Sequence, residues 1–307
     1  MTEFHSKHFN LEKVSDGIYA AIAKDGGGAV GNAGFIDLGD KSIIFDTFNT
    51  QQAAEDLRMV AETITNRPVS WVINSHFHGD HIRGNQVFKD CNILSSQKTL
   101  QQMKKDHPER IAAQKADIEG LKKYIHSLVE QNKTSNDEQI EKEINVLKEL
   151  EISLPHLELV LPQLTFTNEF TIYGTKRSAR IMTLGGGHTS CDAVLYIPEE
   201  EIIFMADLLF VGMHPSFFAY SNPSHWVTML DEITNFPIQK AVPGHGPIGA
   251  KEDMVKLKNY INVLIKLAKD NENMEEVNVP DEYKGWITLN NDAGELFRRN
   301  LSVIKAM

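Results

Sequence analysis

Residues 69–81 read Val69-Ser70-Trp71-Val72-Ile73-Asn74-Ser75-His76-Phe77-His78-Gly79-Asp80-His81, and this stretch decides how the chain is read. Residues 69–73 form a short apolar run of the kind that makes a buried strand. It leads directly into three histidines and an aspartate within six residues. In extended backbone, residues two apart point the same way, so His76 and His78 aim at one point. A turn into helix at Gly79 would aim Asp80 and His81 at a neighbouring point. Imidazole and carboxylate at this density are metal-ligand chemistry, with a solvated histidine-rich turn as the bland alternative.

The surroundings alternate strand and helix signals. Residues 17–23, 33–38 and 42–45 read as strands, with a glycine turn at 26–28 and a tight turn at Gly39-Asp40-Lys41; Asp46 and Thr47 close the last of them. Residues 51–66 carry helical spacing (Ala54, Leu57, Val60, Ile64) and are followed by Pro68. From about residue 96 to 153 the chain turns rich in Lys, Glu and Gln, with apolar residues at helical spacing (Ile118, Leu121, Ile125, Leu128, then Ile140, Ile144, Leu147, Leu150). A break at 132–137 and Pro155 predict a long helical hairpin, an insert of about residues 97–155. It is either a lid, a dimer arm through which two copies pair, or a helical layer over the core. Strand rhythm returns at 164–166, 170–173, 179–184, 193–197 and 202–205, with helices at about 224–235, 251–270 and 293–304. Residues 283–307, with Trp286 and Phe297, read as a terminal helix packed on the core. Strands in both halves with helices between predict a single α/β domain over 1–307.

Three further groups stand just past short apolar runs: Gly185-Gly186-Gly187-His188-Thr189-Ser190, Ala206-Asp207 and Pro243-Gly244-His245-Gly246. Loops at one edge of a sheet are where α/β proteins build sites. A lone histidine in a glycine turn or an aspartate after a strand is ordinarily structural. Beside the first cluster, His188, Asp207 and His245 become candidate ligands.

With these residues in order, the chain resembles the metallo-β-lactamase superfamily. His76-Phe77-His78-Gly79-Asp80-His81 matches that family's HxHxDH signature, and His188, Asp207 and His245 match its later motifs. The resemblance covers about residues 17–249. It implies a four-layer αββα sandwich with metals at one edge. It further implies that His76, His78 and His188 hold one metal, that Asp80, His81 and His245 hold a second, that Asp207 bridges both, and that Asp46 sits behind the site. Seven N and O ligands without cysteine suit two Zn²⁺, while ligand identity leaves iron or manganese open. Paired ions of this kind give a bridging hydroxide near neutral pH, which attacks a carbonyl or phosphoryl centre. Asp80 would orient that hydroxide or shuttle its proton.

Within the family, a bridging Asp207 is typical of thioesterase, lactonase and phosphodiesterase branches, and true β-lactamases usually lack it. The expected activity is hydrolysis of a thioester, lactone or similar ester, with phosphodiester hydrolysis or an iron-dependent, persulfide-dioxygenase-like reaction as alternatives and β-lactam hydrolysis as a side activity. Residues 206–215 (ADLLFVGMHP) resemble a subgroup labelled quinoprotein-relay-type metallohydrolases. His214 is a candidate substrate contact from the loop after Asp207, or a turn histidine before Pro215. Phe217, Phe218 and Tyr220 either line an apolar pocket or pack. Cys191 is read as a small buried side chain and Asp192 as an anchor for its loop. His5, His8, His107, His126, His156 and His225 have no metal-like company and are read as ordinary.

Composition sets the outer limits. At 307 residues, 41% hydrophobic and 24% charged, the chain is an ordinary globular protein, which excludes disorder as its main state. A net charge of −11 argues against a nucleic-acid partner, because phosphate contacts need clustered Lys and Arg, and against an anionic membrane surface. The partner expected is a small-molecule substrate. Cys91 and Cys191 form no CxxC pair, no signal-like or membrane-spanning stretch is evident, and a cytoplasmic location is the default.

Overall fold

The computed structural model describes residues 4–289 and 292–307. The chain divides into two compact units, Met1–Thr167 with Gly174–Lys176, and Asn168–Tyr173 with Arg177–Met307.

In the first unit β1 (Phe9–Ser15), β2 (Ile18–Ala23), β3 (Ala33–Asp37), β4 (Ser42–Phe45), β5 (Trp71–Asn74), β6 (Asn92–Ser96) and β7 (Leu164–Phe166) make one sheet in chain order. The pairs from β1 to β4 are antiparallel and those from β4 to β7 parallel. Parallel neighbours need crossovers. The first is α1 (Gln51–Thr65), capped by the Thr50 side chain, which accepts from Ala53 N, and ended by Asn66 in the left-handed region at φ 50°. Its apolar face (Ala53, Ala54, Leu57, Val60, Ala61) packs with Phe35, Ile44, Val72 and Ile93 of the sheet. After β5 come α2 (Gly79–Ile82) and a 3₁₀ turn, Arg83–Phe88. The helix after His78 begins at Gly79, as the aim of Asp80 and His81 requires.

Between β6 and β7 stand three helices, α3 (Gln97–Ala116), α4 (Ile118–Ser135) and α5 (Glu138–Ser153), where the sequence predicted a two-helix hairpin. Asp117 separates the first two: its φ of −115° leaves the helix and its side chain accepts from Gly120 N to start α4. Only α4 and α5 form the hairpin, around a small core of Ile125, Leu128 and Ile144. Two strands, β1 and β6, lack a legible signal. β1 carries Glu12 and Lys13 on an edge, and β6 ends in two serines that are nevertheless buried.

The second unit holds β8 (Glu169–Tyr173), β9 (Ser178–Thr183), β10 (Ala193–Ile197), β11 (Ile202–Phe210) and β12 (Lys240–His245) in the order β12-β11-β10-β9-β8. Only β11 and β12 are parallel, joined through α6 (Pro223–Thr234). With α7 (Lys251–Asp270) and α8 (Ala293–Lys305), α6 buries Trp226, Leu230, Tyr260, Leu264 and Phe297 against Met182, Val194, Ile203 and Met205 of the sheet. The last helix, expected at about 293–304, runs Ala293–Lys305 and is capped by the Asp292 side chain, which accepts from Glu295 N; the wider stretch read as helical from residue 283 instead opens on a separate 3₁₀ turn, Asp281–Tyr283. Each unit thus contributes a sheet layer and a helix layer to an α/β fold.

β11 corrects a further expectation. The strand predicted to stop at residue 205 continues to Phe210, and Asp207 lies inside it. Ala206 takes a left-handed φ of 44°, the pairing with β12 slips there, and it resumes at Phe210 with His245. The kink re-aims the strand's side chains without ending it, as bulges near functional sites do.

Candidate metal centre

The predicted ligands fall into two sets, one in each unit. In the first unit, parallel β4 and β5 bring two carboxyl-terminal ends side by side, and Asp46 and Ser75 follow those ends; Asp46 N donates to Ile73 O at 2.9 Å. Such ends are where open α/β sheets place ligands. Asp46 is fully buried, with a left-handed φ of 60°. Its Oδ1 accepts from Ser75 N at 2.8 Å, and its Oδ2 accepts from Ser75 Oγ at 2.7 Å and from His81 Nδ1 at 2.8 Å. Burial pushes this carboxyl up, while His81 and the Ser75 donors pull against that.

This network fixes two tautomers. As a carboxylate Asp46 only accepts, so in that state His81 carries its proton on Nδ1 and Ser75 Oγ spends its hydrogen on Asp46. Ser75 Oγ, 2.9 Å from His76 Nδ1, must then accept from it. Both imidazoles are left with Nε2 as the ligating lone pair, the usual arrangement behind metal-bound histidine. The rings of His76 and His78 lie 4.7 Å apart and those of His76 and His81 4.4 Å apart. Asp80 Oδ2 stands 3.5 Å from His81 Nε2. Asp80 is partly exposed, whereas His81 is fully buried. A Cβ on Gly31 would meet His81 Nε2 at 2.9 Å and Asp80 Oδ2 at 3.1 Å, so only glycine lets the backbone pass this close.

The second unit carries His188, Asp207 and His245, all buried. Asp207 Oδ2 lies 3.2 Å from His188 Nε2 and Asp207 Oδ1 3.3 Å from His245 Nε2, so one carboxylate presents a different oxygen to each imidazole. His188 packs edge-on to Trp226 and Phe218, and His245 stacks on Phe210 at 5.1 Å. Asp192 anchors the glycine loop in front of His188: its carboxylate accepts from Gly187 N and from the N and Oγ1 of Thr189. Burial pushes Asp192 up. Ser221 Oγ donates to the His188 carbonyl at 2.7 Å. Gly244 is required by contact, since a Cβ there would sit 2.0 Å from Asp207 Oδ1.

Both sets offer imidazole Nε2 and carboxylate oxygen with the backs of the rings already engaged in the first unit. That donor chemistry fits a divalent cation. A family model described as the metallo-beta-lactamase superfamily matches residues 26–245. The chain belongs to that superfamily. Among curated relatives, "Metallo-beta-lactamase type 2" of Bacteroides fragilis is 30% identical over 112 residues, 35% of this chain and 45% of the relative, so the match spans under half of that protein's length. Among solved structures, "Metallo-beta-lactamase from Pontibacter korlensis" aligns over 83% of this chain and 99% of its own with a TM-score of 0.58 at 15% identity, a likeness of fold alone.

Other sequence expectations resolve differently. His214 is 3% exposed, shares a hydrogen bond with Tyr260 OH through Nδ1 at 2.7 Å, and packs against Trp286 and Phe297. Burial pushes its imidazole down to about 4. His214 is thus an interior histidine held by Tyr260. Phe217 packs on Trp226 in the core, while Phe218 and Tyr220 stack on each other beside His188. Cys191 is buried. Two histidines read as ordinary support the ligands: His225 Nδ1 donates to Gly186 O at 2.8 Å, and His107 Nε2 reaches Phe77 O at 2.6 Å. Neither shows in the sequence, because each acts on a main-chain carbonyl far along the chain. Of the supporting residues, Asp192 was read as an anchor for its loop and Asp46 was expected behind the site from the resemblance, whereas Ser75 carried no reading of its own.

Proposed function

We propose that the chain is a dinuclear zinc hydrolase acting on a thioester, lactone or similar activated ester. In this reading His76, His78 and His188 hold one ion, Asp80, His81 and His245 a second, and Asp207 both. When bound, such ions supply an acidified water and a Lewis acid for the substrate oxygen. The observation that carries the reading is the pose of Asp207, whose two oxygens face His188 and His245 separately at 3.2 and 3.3 Å, a pose that would let one carboxylate serve two ions.

The chain's own residues do the rest. Asp46 and Ser75 hold protons on the Nδ1 atoms of His81 and His76, so that both Nε2 atoms stay free of hydrogen. Asp80 is the acidic group of the first set that reaches solvent, and its carboxylate is the one suited to take up and hand on a proton. No serine or cysteine nucleophile is required. We further place the chain in the cytoplasm, where buried thiols such as Cys91 and Cys191 stay reduced; no described helix is long and apolar enough to cross a membrane.

The test is elemental analysis of protein purified without added metal, followed by a panel of ester, thioester, lactone, phosphodiester and β-lactam substrates, each run beside Asp207→Ala. About two zinc ions per chain and turnover of a thioester or lactone are expected, with turnover lost in a folded Asp207→Ala protein. Turnover of phosphodiesters alone would replace the substrate class. A β-lactam preferred over every other substrate would give this chain the activity in the curated relative's name. About one iron per chain with oxygen consumption would replace hydrolysis by redox chemistry. Unchanged turnover in Asp207→Ala would refute the mechanism.

A further inference from the structure

We infer that α3, the first helix of the insert, clamps the ligand-bearing loop of the first unit, and that His107 is a positioning residue for it. The proposal deepens the metallohydrolase reading and rests on it only for the consequence at the metal.

Phe77 stands between His76 and His78 in the chain, and its carbonyl lies 2.6 Å from His107 Nε2, with His107 1% exposed. A carbonyl only accepts, so Nε2 carries the proton and Nδ1 is bare. Nδ1 is buried and has no hydrogen-bond partner among the described residues. A side chain present for packing alone would be leucine or methionine, which fill such a place without leaving a polar atom unmet. The imidazole is therefore retained for the one bond it makes.

That bond has a companion. Two turns further along α3, about 10 Å away, Gln114 Oε1 accepts from Arg83 Nη2 at 2.7 Å. Met103, His107 and Ile111 are the buried residues of the same stripe. Arg83 is 5% exposed, with Nη1 also reaching Asn49 Oδ1 at 3.4 Å. One face of α3 thus grips the loop at Phe77 and at Arg83, on either side of His78, Asp80 and His81. A lid would have to break both bonds to open, so α3 is a fixed support, whatever α4 and α5 do.

The test compares His107→Leu, which keeps bulk without a donor, with His107→Gln, whose amide N–H replaces Nε2–H. Gln114→Ala probes the second grip. Backbone hydrogen exchange is followed by mass spectrometry on metal-free full-length protein, and zinc retention against a chelator is measured separately. His107→Leu should speed exchange of residues 75–82 while leaving β3 and β4 as slow as in the wild type. It should also weaken zinc retention about 10- to 100-fold, the usual effect of losing a ligand's supporting bond. His107→Gln should restore both. Equal exchange of residues 75–82 in wild type and His107→Leu, or no recovery in His107→Gln, overturns the clamp. If His107→Leu does not fold, His107→Gln and Gln114→Ala decide it: the first must match the wild type and the second must loosen residues 79–83. If the wild type retains no zinc, the metallohydrolase reading fails, and the exchange data still judge the clamp.

Discussion

Asp46 Oδ2 lies 2.8 Å from His81 Nδ1, and neither side chain is exposed to solvent. The same oxygen accepts from Ser75 Oγ, so one buried carboxylate sets the proton positions of His81 directly and of His76 through the serine. The residue is held there by a left-handed backbone that only a tightly determined neighbourhood sustains.

Replacing Asp46 should therefore be costly in two separable ways. Asp46→Ala leaves the Ser75 and His81 donors unmet and should destabilise metal-free protein by about 3–5 kcal/mol, read by urea unfolding. Asp46→Asn keeps the shape but offers one oxygen and an amide, which no longer dictates the Nδ1–H tautomer. It should lower zinc retention roughly 10- to 100-fold with a smaller loss of stability. Asp46→Asn with wild-type zinc retention would show that the tautomers are set by something else.

Gly244 tests the seat of Asp207. A methyl at residue 244 would meet Asp207 Oδ1 at 2.0 Å and the Ala206 carbonyl carbon at 2.6 Å. Since Ala206 is already strained, neither neighbour can give way cheaply. Gly244→Ala should cost about 1–3 kcal/mol and sharply reduce metal-dependent turnover. Gly285→Ala, where an added Cβ meets nothing within 4 Å, is the control and should leave both unchanged. Thermal unfolding and the substrate panel read both variants; a neutral Gly244→Ala would mean that the two strands part more easily than their contacts imply.

His214 makes a pH prediction whose sign follows from its burial. Its folded value lies near 4, below the ordinary 6.5, so the folded chain binds fewer protons than the unfolded chain between those pH values. Its stabilising contribution is complete above 6.5 and is lost as pH falls toward 4, amounting to at most about 3 kcal/mol. His8 and His107 are shifted the same way by burial and add to the wild-type slope, so the contribution is isolated by subtraction. His214→Gln keeps a partner for Tyr260 but cannot take a proton. The unfolding free energy of metal-free wild type should fall more steeply from pH 6.5 to 4 than that of His214→Gln, and parallel curves would contradict the assignment.

The sequence by itself brought the candidate ligands to light and, through their order along the chain, the superfamily. His76, His78, Asp80 and His81 were legible because strand and helix-start periodicities act over a few residues, and side-chain direction within such a stretch is local geometry. The strands and helices with clean alternation or helical spacing, such as α1, β10 and α7, were legible for the same reason. The tertiary structure decided what holds the candidate ligands in place, although the family resemblance had already set Asp46 behind them. Asp46 meets His81 across 35 positions, His107 meets Phe77 across 30, and His225 meets Gly186 across 39. Each is a single hydrogen bond to a partner that no periodicity announces. The packing around His214 is of the same kind: its place after Asp207 is local, and its enclosure by Tyr260, Trp286 and Phe297 is set by residues far along the chain. The course of β11 through Asp207 and the division of the insert into three helices were likewise settled by a backbone torsion at Ala206 and a cap at Asp117. Residue type limits which bonds can form, but which of them does form depends on where distant parts of the chain come to lie.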